Sequence, residues 1–327
     1  MKKILVLLLV VAVLGVGFSG VVAASPLEGS EDDVYYMVTF VSGIEYWKPA
    51  FAGMEAAANN LGVSAQYTGA NQYDINQQVT VLEQVIAKKP AGILLTCINP
   101  DALKRPINRA IEQGIPVVTF DADSPDSDRY SFLATSNYNA GVKAAKYLAE
   151  LNNEKGNVGV ITIPGQLNHE ERAAGFREII ANDYPDMKVV SVQDGKSDQA
   201  QSAMAMGAML QAEPDLVGVF TTEASTGVGA ATAVKEAGKV GEVNIISFDV
   251  DKGTLDFVKS GVIDATIAQG TWTMGYWGEM FLFHLANDLL SPIDGDWKTA
   301  KVAPLPSYVD TGVSIVTKDN VEYFYGK

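Results

Sequence analysis

From residue 34 onward, short apolar runs alternate with longer segments whose apolar residues recur every three to four positions. The runs predict strands over 34–41, 63–68, 91–96, 115–120 and 130–134, and again over 157–163, 188–192, 216–221, 243–248 and 264–268. Each is a few apolar, mostly β-branched residues bounded by turn residues, the pattern of a strand buried on both faces of a parallel sheet. Between them a 3.6-residue period predicts helices. Over 47–61 the apolar stripe is Phe51, Met54, Ala58 and Leu61; over 74–87 it is Ile75, Val79, Leu82 and Ile86, behind Asp74 as a cap. Further helices are expected over 100–113, closed by Gly114, then over 140–151, 170–181, 198–212, 225–237, 253–259 and the aromatic-rich 272–289, before a last short strand at 312–316. Alternating strand and helix with short links implies parallel β-α-β units. The rhythm stops at the polar stretch 123–129 and restarts near 139. The expected fold class is therefore α/β, two doubly wound parallel-sheet lobes over about 33–134 and 139–268.

The halves repeat one phrase. Val117-Val118-Thr119-Phe120-Asp121-Ala122-Asp123 and Ile245-Ile246-Ser247-Phe248-Asp249-Val250-Asp251 each run from a buried strand into Asp-x-Asp. One strand earlier in each half, Asn99 and Glu223 hold equivalent places at a helix start. In open α/β sheets ligands bind beyond the carboxyl ends of the strands. Two such ends imply two similar half-molecules facing one ligand.

Composition narrows the function. A chain of 327 residues, 47% hydrophobic and 19% charged, supports two domains with sizeable cores. A net charge of −15 argues against nucleic acid as a partner, because phosphate binding needs a basic face. At the start, Lys2 and Lys3 precede an apolar run over 4–13, and Val22-Ala23-Ala24 offers small residues before Ser25. This predicts a cleaved export signal over 1–24 and a periplasmic location. A membrane anchor is the alternative; glycines and a serine break the run and no basic stop follows. The single cysteine, Cys97, ends a strand and excludes both an internal disulfide and a lipid-modified signal.

A polyhydroxyl ligand needs hydrogen-bonding side chains and a flat apolar wall, which Asp, Asn, Gln and aromatic rings supply. Tyr46-Trp47 follow the first strand, Gln269 ends the strand at 264–268, and Arg172 opens a helix after the loop 164–169. Bland roles remain open for each. Tyr46 and Trp47 suit a helix-start core, Asp121 and Asp249 suit helix caps, and Arg172 suits a surface pair with Glu171 or Glu178.

Taken together, Ile98-Asn99-Pro100, the strand into Asp121, Glu171-Arg172-Ala173-Ala174-Gly175-Phe176, Ser247-Phe248-Asp249 and Thr266-Ile267-Ala268-Gln269 resemble the periplasmic sugar-binding proteins of bacterial ABC transporters, of the ribose- and galactose-binding type with the type I periplasmic fold. The resemblance covers about 34–317. It implies two lobes joined by a three-strand hinge, one from 33–136 plus 270–303 and one from 137–269 plus 304–327. It implies a monomer without a cofactor that captures a small sugar or polyol and delivers it to a membrane permease. By position, Tyr46 and Trp47 match an aromatic pair around the sugar, and Asn99, Asp121, Asp249 and Gln269 match polar contacts. Glu223 stands where ribose binders place Asn, Ala122 where they place Arg, and Glu170 at another ligand-binding Arg, while Arg172 matches the next one. Asp121, Asp123, Glu170, Glu223 and Asp249 would then share one cleft with Arg172. Such a cleft favours a neutral polyol-like sugar first and an amino-bearing one second, and repels acidic sugars.

Other classes fare worse. A glycosidase needs two tuned carboxylates, and nothing else here marks an enzyme. Neither metal-ligand spacing nor a Gly-rich phosphate loop after a strand is visible, and Gly227-Val228-Gly229 falls inside a helix. A transcriptional regulator of related design needs a basic headpiece where this chain has the signal-like start. A receptor for a furanosyl autoinducer or a chemotaxis ligand shares the fold and differs only in its ligand.

Overall fold

Two six-stranded sheets with helices on both faces account for residues 27–326, the part of the chain described by the computed structural model. The expected export signal, 1–24, lies outside these residues. The first sheet holds β1 (Val34–Thr39), β2 (Ser64–Gly69), β3 (Gly92–Leu95), β4 (Val117–Phe120), β5 (Phe132–Ala134) and β11 (Tyr308–Asp310), in the order β11-β5-β4-β3-β1-β2. In the second, β6 (Gly156–Thr162), β7 (Met187–Asp194), β8 (Leu216–Thr221), β9 (Asn244–Phe248), β10 (Ala265–Gln269) and β12 (Val313–Thr317) run β12-β10-β9-β8-β6-β7. Every pairing is parallel except β10 with β12. The strand order reverses between β1 and β3, and again between β6 and β8, which opens a crevice at the carboxyl ends of each sheet.

Both faces of both sheets are buried, which is why the strands read as continuous apolar runs. Ile93 and Leu95 of β3 pack with Leu82, Ile86 and Ile107 from α2 (Ile75–Ala87) and α3 (Pro100–Glu112). Leu94, one residue out of phase, packs on the other face with Met54 of α1 (Trp47–Leu61) and Met274 of α9 (Thr271–Ala286). In the second sheet Val219 and Ile245 face α6 (Gln199–Ala212), α7 (Ala224–Glu236) and α8 (Lys252–Ser260), while Phe220 and Ile246 face α4 (Asn137–Leu151) and α5 (Leu167–Asp183).

The chain passes between the halves three times: at 135–136, at Gly270 and at Thr311-Gly312. Residues 304–310 were expected with the second half, but β11 pairs with β5 and extends the first sheet. Its three residues are too few to carry a period, so the boundary belongs at 311–312. The passages touch one another. Asp310 Oδ1 accepts from Ser136 N at 3.0 Å and from Gly312 N at 2.9 Å, and Thr311 N donates to Ala134 O at 2.9 Å. A Cβ on Gly270 would lie 2.6 Å from Thr311 O.

Each half also contains one helix pair in backbone contact through glycines on both of its helices. A Cβ on Gly275 of α9 would lie 1.8 Å from Ala50 O of α1, and one on Gly53 2.0 Å from Trp272 O. In the second half a Cβ on Gly141 of α4 would lie 2.0 Å from Arg172 O of α5, and one on Gly175 2.1 Å from Tyr138 O. The methyl groups are excluded by main chain, which cannot rotate away. Gly275→Ala is expected to lower the free energy of unfolding by about 1–3 kcal/mol through overpacking. Gly207→Ala on α6, where nothing lies within 4 Å, is expected to raise it by up to about 1 kcal/mol. Urea unfolding of the two variants beside the wild type checks both signs.

Candidate ligand-binding site

Asp121 and Asp249 occupy matching places beyond β4 and β9. Neither caps a helix; a loop follows Asp121, and Asp251 is the residue that precedes α8. Both hold the left-handed backbone conformation, with φ of 62° and 65°. That region is costly for most side chains and is tolerated best by Asn and Asp. Each peptide N–H stays on the neighbouring strand, Asp121 N on Leu133 O at 3.0 Å and Asp249 N on Ile267 O at 2.8 Å. The turn thus begins at the carboxylate-bearing residue itself. Asp121 Oδ1 accepts from the Tyr46 hydroxyl at 2.7 Å, and Asp249 Oδ1 accepts from Gln269 Nε2 at 2.8 Å.

Arg172 sits between them, 3% exposed on the first turns of α5. Its Nε donates to Asn137 Oδ1 at 2.9 Å and its Nη1 to Thr222 O at 2.8 Å. Its Cζ lies 3.7 Å from the centroid of the Phe248 ring, a cation–π contact. Burial lowers its pKa; Asp249, Tyr46, Asp121 and Glu223 oppose that by favouring the charged form. His169 Nδ1 stands 3.1 Å from Thr222 Oγ1. Burial, then the neighbouring Arg172 charge, pulls its pKa down to about 3, so this histidine is neutral.

The carboxylates are short of donors. Burial raises Asp121, eased by the Tyr46 hydroxyl and by Arg172. Burial pushes Asp249 up to about 6 against the pull of Arg172 and Gln269, with Asp251 and Asp121 adding repulsion. Glu223, at the start of α7, is pushed up to about 7, again chiefly by burial, although Ser197 Oγ donates to its Oε2 at 3.0 Å. Its Oε1 is buried without a hydrogen-bond partner. The loop that brings Ser197 carries two consecutive left-handed residues, Lys196 and Ser197, a strained turn beside the site.

Four residues expected here do other work. Trp47 is 1% exposed and packs edge-on against Phe40, Tyr46 and Phe120 in the core of the first half. The core stripe of α1, through Ala50, Met54, Ala58 and Leu61, extends back at helical spacing to Trp47, the signal that separates it from Tyr46. Asn99 spends its Oδ1 as the cap of α3, accepting from Ala102 N at 2.9 Å. Asp123 is locked to Arg129, with 2.8 Å from Nε and 2.5 Å from Nη2, and accepts from Thr119 Oγ1 at 2.6 Å. Glu170 is exposed and accepts from Gly165 N at 2.8 Å within its own loop. The acidic cleft thus reduces to Asp121, Glu223 and Asp249 around Arg172. Conversely, Asn137 and Ser197 lie on loops and helix starts where no period marks them. Among the described residues no group of His, Cys, Asp and Glu could hold a metal ion, and no helix is long and apolar enough to cross a membrane.

Two doubly wound halves with facing strand ends define a two-lobed binding protein. Residues 34–288 match the periplasmic binding protein domain, and the chain belongs to that family. It is a solute-binding component rather than an enzyme. A sugar-binding protein of a sugar ABC transporter from Bacillus halodurans is 50% identical, with a TM-score of 0.87 over 90% of this chain and 100% of that one. AraP, an arabinose binding protein from Geobacillus stearothermophilus, is 54% identical, with a TM-score of 0.86 over 90% and 99%. Further off, the D-apiose import binding protein of Actinobacillus succinogenes is 26% identical over 253 residues, 76% of this chain and 81% of the relative.

Two measurements separate core from site. Trp47→Ala is expected to cost about 3–5 kcal/mol of ligand-free stability, as large-to-small changes in a packed core do. Tyr46→Phe keeps the ring and removes only the hydroxyl, so ligand-free stability is expected to change by less than about 1.5 kcal/mol. The raised carboxyls also set a pH dependence. Where the folded pKa exceeds the unfolded value, the folded state binds more protons, so stability falls as pH rises from about 4 toward the folded value. For Glu223 that window reaches about 7. Urea midpoints of wild type and Glu223→Gln across that range should diverge, with the glutamine variant gaining relative stability as pH rises.

Proposed function

We propose that the chain is the sugar-capturing component of an ABC importer and binds one neutral monosaccharide of pentose size between its lobes. The observation that carries this is the cluster of Asp121, Asp249 and Glu223 around Arg172. Hydroxyl groups are donors, and bonds from them to carboxylates are stronger than neutral ones. Tyr46, whose hydroxyl reaches Asp121, brings an aromatic ring to the cluster, a surface suited to the C–H side of a sugar. AraP, more than half identical, is named as an arabinose binder, and this supports an aldopentose as the ligand. On this reading the protein is exported through its first residues to the periplasm, works as a monomer, closes at the three passages between its lobes and delivers its cargo to a membrane permease.

A thermal-shift screen of L-arabinose, D-xylose, D-ribose, D-galactose, glucosamine and glucuronic acid tests it. An aldopentose at 100- to 1,000-fold excess over its Kd should stabilise by about 3–4 kcal/mol, and Arg172→Leu should remove that response. A largest response from glucuronic acid, or none from any neutral sugar, would overturn the proposal.

A further inference from the structure

The crevice extends beyond the cluster around Arg172. Tyr46, Asp249 and Gln269 also line a cavity of about 550 Å³ that continues between α1 and α8. Its walls are Pro49 and Ala52 of α1, Leu255 of α8, and Phe324 and Tyr325 at the end of the described chain. Tyr325 is anchored: its hydroxyl donates to Asp256 Oδ1 at 2.9 Å, and Lys259 Nζ lies 5.5 Å from its ring centroid. Polar groups converge on the same space. Glu45 and Asp251 come from opposite lobes, and the Glu45 charge adds to the rise that burial imposes on Asp251. The nearby lysines are matched, Lys48 to Glu45 at 3.0 Å and Lys252 to Asp256 at 2.6 Å.

Two features argue for the occupant. The volume lies within the range of about 300–1,000 Å³ that houses drug-sized ligands, which leaves room beyond one small ring. The lining repeats the chemistry of the first site, apolar and aromatic faces with carboxylate acceptors at the rim, and it is continuous with that site through Tyr46, Asp249 and Gln269. In a glycoside the attached unit is joined through the oxygen on the anomeric carbon, and the cavity offers space for a unit joined in that way. We propose that the cavity is a second subsite for the unit attached to the sugar's glycosidic oxygen, so that the protein accepts glycosides and short oligosaccharides as well as the free monosaccharide. This rests on the sugar-binding reading above, and the test separates the two.

Isothermal titration would compare L-arabinose and D-xylose with both anomers of their 4-nitrophenyl glycosides, on wild type, Ala52→Trp and Tyr325→Ala. Ala52 is exposed on α1, so the tryptophan enters the cavity without entering the core. At least one glycoside should bind wild type within about tenfold of its free sugar. Ala52→Trp should weaken that glycoside by about tenfold or more and leave the free sugar within about twofold, and Tyr325→Ala should act in the same direction. If every glycoside binds more than about tenfold worse than its free sugar, or if neither variant discriminates between the two, the subsite is refuted while the sugar site stands. If the free sugars and the glycosides all fail to bind, the sugar-binding reading itself has failed.

Discussion

A guanidinium buried to 3% exposure is the constraint on which the site depends. Taking such a charge out of water costs several kcal/mol unless paired groups and hydrogen bonds replace the lost hydration. The second half supplies Asn137, Thr222 and the face of Phe248 directly, with Asp249 and Glu223 nearby. The first half supplies Asp121 and Tyr46 from across the crevice. Arg172 is therefore fully compensated only when both halves are near it, and its position is set by main chain, because Gly141 rests on its carbonyl. The same burial leaves the surrounding carboxylates short of donors, and so receptive to a ligand made of hydroxyl groups.

The duplication shows where function entered. The glycine contacts make Ala50 of α1 and Arg172 of α5 equivalent, since each offers its carbonyl to the glycine of the partner helix. One half keeps a small apolar residue there and a closed core. The other places its longest cation at the same point and builds polar contacts around it. The first half contributes instead through Tyr46, one residue outside the core stripe of α1.

Much of this was legible in the chain. Continuous apolar runs against a 3.6-residue period located the parallel sheets and their helices, and the repeated strand-Asp phrase pointed to the facing edges. Asp121, Asp249, Gln269 and Arg172 stand out because each polar residue directly follows or precedes an apolar run. What stayed hidden depends on direction rather than identity. Adjacent residues on a helix point about 100° apart, so Tyr46 and Trp47 read alike until the buried stripe is extended to the helix start. Asp123 meets Arg129 across a polar turn that carries no period at all. Glu170 falls on the helix of Arg172 yet bonds back to its own loop. β11 is three residues long and ends in Asp310, too short to stand out as an apolar run.

The triple passage between lobes also orders assembly in time. Apart from β12, the second lobe is drawn from the continuous segment 137–269, so its strands and helices can find one another as soon as that segment is available. The first lobe cannot be finished that way. Its α1 waits for α9, and its outer strand waits for residues 308–310, both made after the whole of the second lobe's main sheet. Non-local closure of that kind is slow and leaves apolar surface open meanwhile. The face of the first lobe that α9 covers, with Met54 and Leu94 beneath it, is therefore the surface a nascent chain exposes longest and the one where a holding chaperone would have most to shield.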